Sequence, residues 1–177
     1  VVTITPPNPY QIPLGDSYQE WGASAISSDN EILAVSIQAP ENLSTDTVRS
    51  FSVLYSATDS SGRTTTLSRT VNVVDLIKPI LSFSNPSSSV NGSELDWEVN
   101  TTYIDPNGVD ASDNYDVSID IVKTDLVDTS SLGQNFVYFD AQDSSGNSAQ
   151  RLIRTVNVVD TLSLIHISEA HETSDYL

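Results

Sequence analysis

Arg69–Asp75 reads RTVNVVD, and Arg154–Asp160 reads RTVNVVD again, 85 positions later. A seven-residue word does not recur by chance in 177 residues, so a structural unit is repeated. Within the word, Val71 and Val73 share one parity and Thr70 and Asn72 the other. β-Branched residues alternating with polar ones describe a strand with one buried face. The stretch ahead of it alternates in the same way, through Val53, Tyr55 and Ala57 in FSVLYSAT and through Val137, Phe139 and Ala141 in FVYFDAQ. Between the two strands lie DSSGR (Asp59–Arg63) and DSSGN (Asp143–Asn147). These are turn signals: glycine supplies a positive φ and the leading aspartate accepts from backbone N–H groups. Asp59 to Asp143 spans 84 positions and Asp75 to Asp160 spans 85, so the second copy has one extra residue between turn and word. A one-residue slip would swap faces, which predicts a bulge there.

The early halves match more loosely. SYQEWGASAISSDN (Ser17–Asn30) lies over TYIDPNGVDASDN (Thr102–Asn114), pairing Tyr18 with Tyr103, Gly22 with Gly108 and Asp29 with Asp113. No stretch carries a helical stripe. Short strands punctuated by turns every 8–12 residues or so are the pattern of a β-sandwich. The expectation is an all-β chain of two sandwiches, residues 1–75 and 76–160, with LIKP (Leu76–Pro79) as a short proline-containing connector. A unit of that size hides only about 60–65% of the surface its unfolded chain exposes. With no cysteine in the chain, neither a disulfide nor a thiolate metal site can staple it.

Twenty-four acids against seven bases give a formal charge of −17. Such a charge opposes phosphate backbones and anionic membranes, so neither nucleic acid nor membrane insertion is expected. No apolar run approaches the ~20 residues of a membrane span. The first residues, VVTIT, are strand-like, as expected of a piece of a longer or processed precursor.

Both copies resemble the bacterial surface-protein immunoglobulin-like repeat. Its pattern is an early G-D-x-Y-x-D-x-G-A-x-A-x-D and a late Y-x-A-x-D-x-x-G-N-x-A-x-x-x-R-x-V-x-V. The first copy carries Gly15, Asp16, Tyr18, Gly22, Ala23, Ala25 and Asp29, then Tyr55, Ala57, Asp59, Gly62, Arg69, Val71 and Val73. The second carries Tyr103, Asp105, Pro106, Gly108, Ala111 and Asp113, then Phe139, Ala141, Asp143, Gly146, Asn147, Arg154, Val156 and Val158. The first copy departs at Glu20-Trp21, where the family usually has aspartate-proline, and the second at an insertion around Asn107–Asp110. The resemblance implies two tandem immunoglobulin-like sandwiches of an extracellular or cell-surface protein. It further implies a spacer or adhesive stalk, partnered by neighbouring modules of the parent chain and without catalysis of its own.

Ten acids fall between Glu94 and Asp128 against Lys123 alone. Calcium is the candidate cofactor, since it takes six to eight oxygen ligands from irregular loops. Asp105, Asp110, Asp113 and Asp116 in DPNGVDASDNYD are its candidate ligands, and the alternative is a solvated acidic loop. Asp75, ahead of LIKP, is a candidate bridging ligand, with a plain strand-ending aspartate as the alternative. Asp59 and Asp143 read as turn caps. Arg69 and Arg154 share parity with the core valines and are expected along the sandwich rim, each paired with an acid of its own module.

Trp21, Trp97 and Tyr115, with Tyr103, are candidates for a glycan-stacking platform; two exposed coplanar rings would support it and burial would reject it. Another alternative is a fibre subunit in which VVTIT or LSLIHIS adds to a neighbour's open sheet edge. The sequons at Asn42, Asn91 and Asn100 matter only in a pathway that glycosylates them. Both histidines, His166 and His171, lie in the tail, and no serine has a recognisable base, so no enzyme is expected. The tail, residues 161–177, is either the start of a third repeat or a sequence artefact, because SLIHISE resembles translated sequencing-adapter DNA.

Overall fold

The computed structural model describes residues 1–40 and 43–161. The readings on Asn42, on both histidines and on the tail beyond Thr161 lie outside the described residues. The chain divides into two compact units, Val1–Leu76 and Ile77–Leu177. All the elements assigned among the described residues are strands.

The first unit contains β1 (Val2–Ile4), β2 (Tyr10–Pro13), β3 (Ala23–Ile26), β4 (Ile32–Leu33), β5 (Ser36–Gln38), β6 (Arg49–Thr58) and β7 (Thr64–Val74). One sheet runs β1-β3-β4 and the other β2-β7-β6-β5. The long β6–β7 hairpin keeps a single register from Arg49↔Val73 to Thr58↔Thr64. Beside it, β2 runs parallel to β7. Because side chains alternate across a strand, Val53, Tyr55 and Ala57 all face inward, where they are nearly inaccessible. They meet Val2, Ile4 and Ala25 of the other sheet, with Ile12 and Val71, in one apolar cluster. Two sheets closing on one core make an immunoglobulin-like β-sandwich. VVTIT supplies β1, antiparallel to β3 of its own unit.

The second unit repeats the plan with β8 (Ile80–Phe83), β9 (Glu94–Glu98), β10 (Val109–Ser112), β11 (Ile121–Asp125), β12 (Gly133–Ala141) and β13 (Leu152–Val159). Its sheets are β10-β8 and β11-β12-β13-β9, with β9 again parallel to β13. Leu81 of β8 packs with Val137, Phe139, Ala141 and Val156.

The one extra residue counted between turn and word is visible as a break in register. The β12–β13 ladder ends at Phe139↔Leu152, yet the next bridge is Gln142↔Ser148, so three steps on β12 face four on the other side. The bulge therefore lies between Ser148 and Leu152. It puts Val156 and Val158 back on the inner face, at 0% and 3% exposure. In both turns the glycine takes a positive φ, 77° at Gly62 and 93° at Gly146, which a side chain would disfavour.

Candidate functional site

The most heavily built polar feature of each unit is a buried arginine. Arg69 lies opposite Val53 on the inner face of β7, and Arg154 lies opposite Val137 on the inner face of β13. Both are 0% exposed. The expectation of rim positions is thus corrected: parity with the valines carries each guanidinium into the sandwich. A buried charge needs a counter-charge and hydrogen bonds, and each unit supplies them from the loop that bears its early tyrosine.

In the second unit Arg154 Nη1 donates to Asp105 Oδ2, both side chains being fully buried. Its Nε donates to Gly92 O at 2.9 Å, and Nη2 to Asn91 O at 3.1 Å and Asn107 O at 2.6 Å. The guanidinium stands 5.1 Å from the Phe83 ring centroid and 5.3 Å from that of Phe139, so it is packed as well as paired. Asp105 also accepts from Tyr103 Oη at 3.1 Å and from the Asn107 N–H at 2.9 Å. Lys123 Nζ lies 3.9 Å from its Oδ1. Burial, followed by the Asp105 charge, pushes the Tyr103 hydroxyl far above its ordinary value.

In the first unit Glu20 takes the place of Asp105, with a looser fit. Its Oε1 accepts from the Gly22 N–H and from Tyr55 Oη, each at 2.6 Å, and its Oε2 accepts from Tyr18 Oη. Arg69 Nη2 donates to Thr5 O at 2.7 Å and Gly22 O at 3.1 Å, while Nη1 stands 3.7 Å from Glu20 Oε1. Arg69 Nε and Nη1 make no hydrogen bond among the described residues. Burial works to raise the Glu20 carboxyl, but the bonds from Tyr18, Tyr55 and Gly22 and the nearby Arg69 outweigh it and hold it below its ordinary value. Burial and the Glu20 bond push Tyr55 up to about 12 and raise Tyr18 further.

The pairings Arg154–Asp105 and Arg69–Glu20 span the same 49 positions. Glu20 was not singled out from the sequence, although that common offset, with each acid two residues after its tyrosine, was there to find it.

Asp59 Oδ1 accepts from the N–H groups of Ser61 and Arg63, both at 3.0 Å, and Arg63 Nε reaches its Oδ2 at 2.8 Å. The Arg63 backbone bond leads in holding its carboxyl low. Asp143 accepts from Asn147 N at 2.7 Å and Nδ2 at 2.8 Å.

The acids expected to hold calcium go to separate tasks. Asp105 is committed to Arg154. Asp110 accepts from Ser84 Oγ at 2.6 Å. Asp116 accepts from both the N–H and the hydroxyl of Ser144, at 2.7 and 2.8 Å. Asp113 Oδ2 accepts from Tyr115 N at 2.9 Å and Asp116 N at 3.1 Å, and these bonds, that from Tyr115 first, hold its carboxyl low. Among the described residues no three of these four carboxylates form a common cluster. Asp113 Oδ1 is buried and makes no hydrogen bond among the described residues, and an oxygen of Asp143 lies within 4.8 Å of one of its own. Asp75 directly follows β7 at the end of the first unit.

The aromatic candidates do not present flat faces. Trp97 pairs in register with Val158, as Ile12 does with Val73, so it occupies a core position. It is half-buried and meets Tyr103 nearly edge-on, at 4.9 Å and 74°. Trp21 is 44% exposed, but Tyr10 meets it edge-on at 85°. Tyr115 sits half-buried in the acidic loop.

Two solved structures resemble the chain weakly. The fibronectin(III)-like modules of CbhA from Clostridium thermocellum share 15% identity, with 90% of this chain and 95% of that one covered and a TM-score of 0.34. The lipoprotein BT2262 from Bacteroides thetaiotaomicron shares 16%, covering 78% of this chain and 59% of that one, also at a TM-score of 0.34. No curated protein sequence matches the chain. Residues 2–73 match the family model of the bacterial surface protein, Ig-like domain. That span holds the whole sandwich built around Arg69 and Glu20, and the first unit belongs to the bacterial surface-protein Ig-like domain family.

Proposed function

We propose that the chain is a non-catalytic spacer or adhesive stalk of a bacterial surface protein, displayed outside the cell and carrying neighbouring modules of its parent chain. The observation that supports this most is the duplication. Each unit closes its own core around its own arginine–carboxylate pair, the two pairs at one common offset. A building block repeated in this way adds length by addition of units. The family of the first unit supports a surface location, and modules of that kind are generally non-catalytic. A formal charge of −17 would keep such a stalk soluble and unattached to anionic envelope surfaces.

Protease shaving of intact cells that express the parent protein tests the reading. Peptides of this chain released without lysis would support it, and recovery only after lysis would overturn it.

A further inference from the structure

The two units offer an internal comparison, because the same fold presents the same outward positions twice. On the outer face of the β6–β7 hairpin the first unit places Ser52, Leu54 and Ser56, with Ser68 opposite Leu54. At the matching positions the second unit places Phe136, Tyr138 and Asp140, with Ile153 opposite Tyr138. These side chains alternate with the buried Val137 and Phe139, so they point away from the core. Phe136 is 38% exposed and Ile153 45%. The fold does not require rings there, since the first unit forms the same hairpin with two serines and a leucine.

The face is organised as well as apolar. The Phe136 and Tyr138 rings lie side by side, centroids 6.4 Å apart and inclined by only 31°. At one end Arg151 forms a fork with Asp140, Nε to Oδ1 and Nη2 to Oδ2 both at 2.8 Å, and stands 5.1 Å from the Tyr138 ring centroid. At the other end Gln134 Nε2 donates to Asn157 Oδ1 at 3.3 Å. Arg151 lies within the bulge, which the first unit lacks, and bulges characteristically re-aim a side chain beside a site. Both the rings and the bulge therefore belong to the second unit alone.

From this arrangement we infer that the outer face of β12 and β13 is a binding platform for a neutral polysaccharide chain, with Phe136 and Tyr138 as its floor. The C–H face of a sugar ring suits the exposed Phe136 ring and the half-buried Tyr138 ring beside it, and its hydroxyls suit the planar donors and acceptors at either end. Charge selects among occupants. Among the described residues the one guanidinium on the face is already held by Asp140, so an anionic ligand finds no open counter-charge there. The formal −17 opposes docking of a second copy or of an acidic protein. This inference goes beyond the spacer reading, which stands or falls on cell-surface exposure instead.

The test is binding of the full chain to immobilised neutral oligosaccharides of β-glucan, α-glucan, chitin, mannan and galactan type. Binding to at least one is expected. The double variant Phe136→Ser/Tyr138→Leu, which installs residues the first unit already tolerates, should weaken it at least tenfold, about 1.4 kcal/mol. Arg151→Gln should weaken it severalfold with both rings in place. Melting curves of the variants control for folding. The inference is overturned if no sugar is bound or if the double variant binds unchanged. It is equally overturned if the two rings prove to mediate concentration-dependent self-association or binding of a protein instead.

Discussion

Arg154 and Asp105, whose side chains are both fully buried, meet inside the second unit across 49 positions of sequence, while three backbone carbonyls accept from three more of the guanidinium N–H groups. Those carbonyls belong to Asn91, Gly92 and Asn107, in the segments that lead into β9 and β10. One side chain thus ties two connecting segments to the last strand, the kind of long-range tie a disulfide would otherwise make in a unit this small. In the first unit Arg69 does the same with Thr5 O, Gly22 O and Glu20, but the Glu20 side chain is 29% exposed and two guanidinium nitrogens lack hydrogen bonds among the described residues.

Neutralising one partner leaves the other charge buried and alone. Asp105→Asn should destabilise the second unit by about 3–5 kcal/mol, the usual cost of breaking a buried pair. For a domain of this size that lowers the melting midpoint by at least roughly 12 °C. Differential scanning calorimetry reads it directly, and a shift of only a degree or two would show that Asp105 is dispensable.

The pH dependence of the first unit follows from its carboxylate and tyrosines. Glu20 is held low in the folded state, so its contribution is complete above the ordinary glutamate range and is lost as pH falls through the depressed value. Tyr55 is raised to about 12, so the unfolded chain loses its phenolic proton first and stability falls as pH climbs towards that value. Melts in acid and in alkali should both fall, and Glu20→Gln should flatten the acid limb specifically. An acid limb unchanged by that substitution would contradict the assignment.

Gly92 is buried, and a methyl group there would stand 2.3 Å from Ser88 O and 2.6 Å from Pro86 O. Gly92→Ala must displace backbone, and that displacement also pulls Gly92 O away from Arg154 Nε. A loss of about 1–3 kcal/mol is expected from urea unfolding. Wild-type stability would show that this loop gives way freely.

The two turn aspartates should differ in weight. Asp143 is 6% exposed and bonds Asn147 twice, so Asp143→Ala should cost about 1–3 kcal/mol. Asp59→Ala should cost less, because its bonds lie at the surface, with the Arg63 side chain 70% exposed. Equal losses in matched urea titrations would contradict this ranking.

How much of this was legible in the sequence depended on whether a feature was periodic. The parity of Val53, Tyr55 and Ala57 marked the buried face, and a count of residues between turn and word located the bulge. The arginines show where a general rule misled. Arginine is almost never fully buried unless paired, which argued for the rim, whereas parity with Val71 and Val156 pointed inward. Acidic density between Glu94 and Asp128 suggested a shared cation, because composition does not reveal that Ser84, Ser144 and Arg154 each take one acid separately. Trp97 read as a ligand platform until register placed it where Ile12 sits. The outward pair Phe136 and Tyr138 was readable from the parity of Val137, but only comparison with Ser52 and Leu54 shows that it is unusual.

One measurement bears most directly on the claim that each unit is built around its own arginine–carboxylate pair. Each unit contains one tryptophan, Trp21 and Trp97, so the Trp97→Phe and Trp21→Phe backgrounds report the first and second unit separately by fluorescence in urea. In these backgrounds Asp105→Asn should move the Trp97 transition to lower urea and leave the Trp21 transition where it was. A shift of both transitions together, by the same amount, would mean a single cooperative structure and would contradict the account.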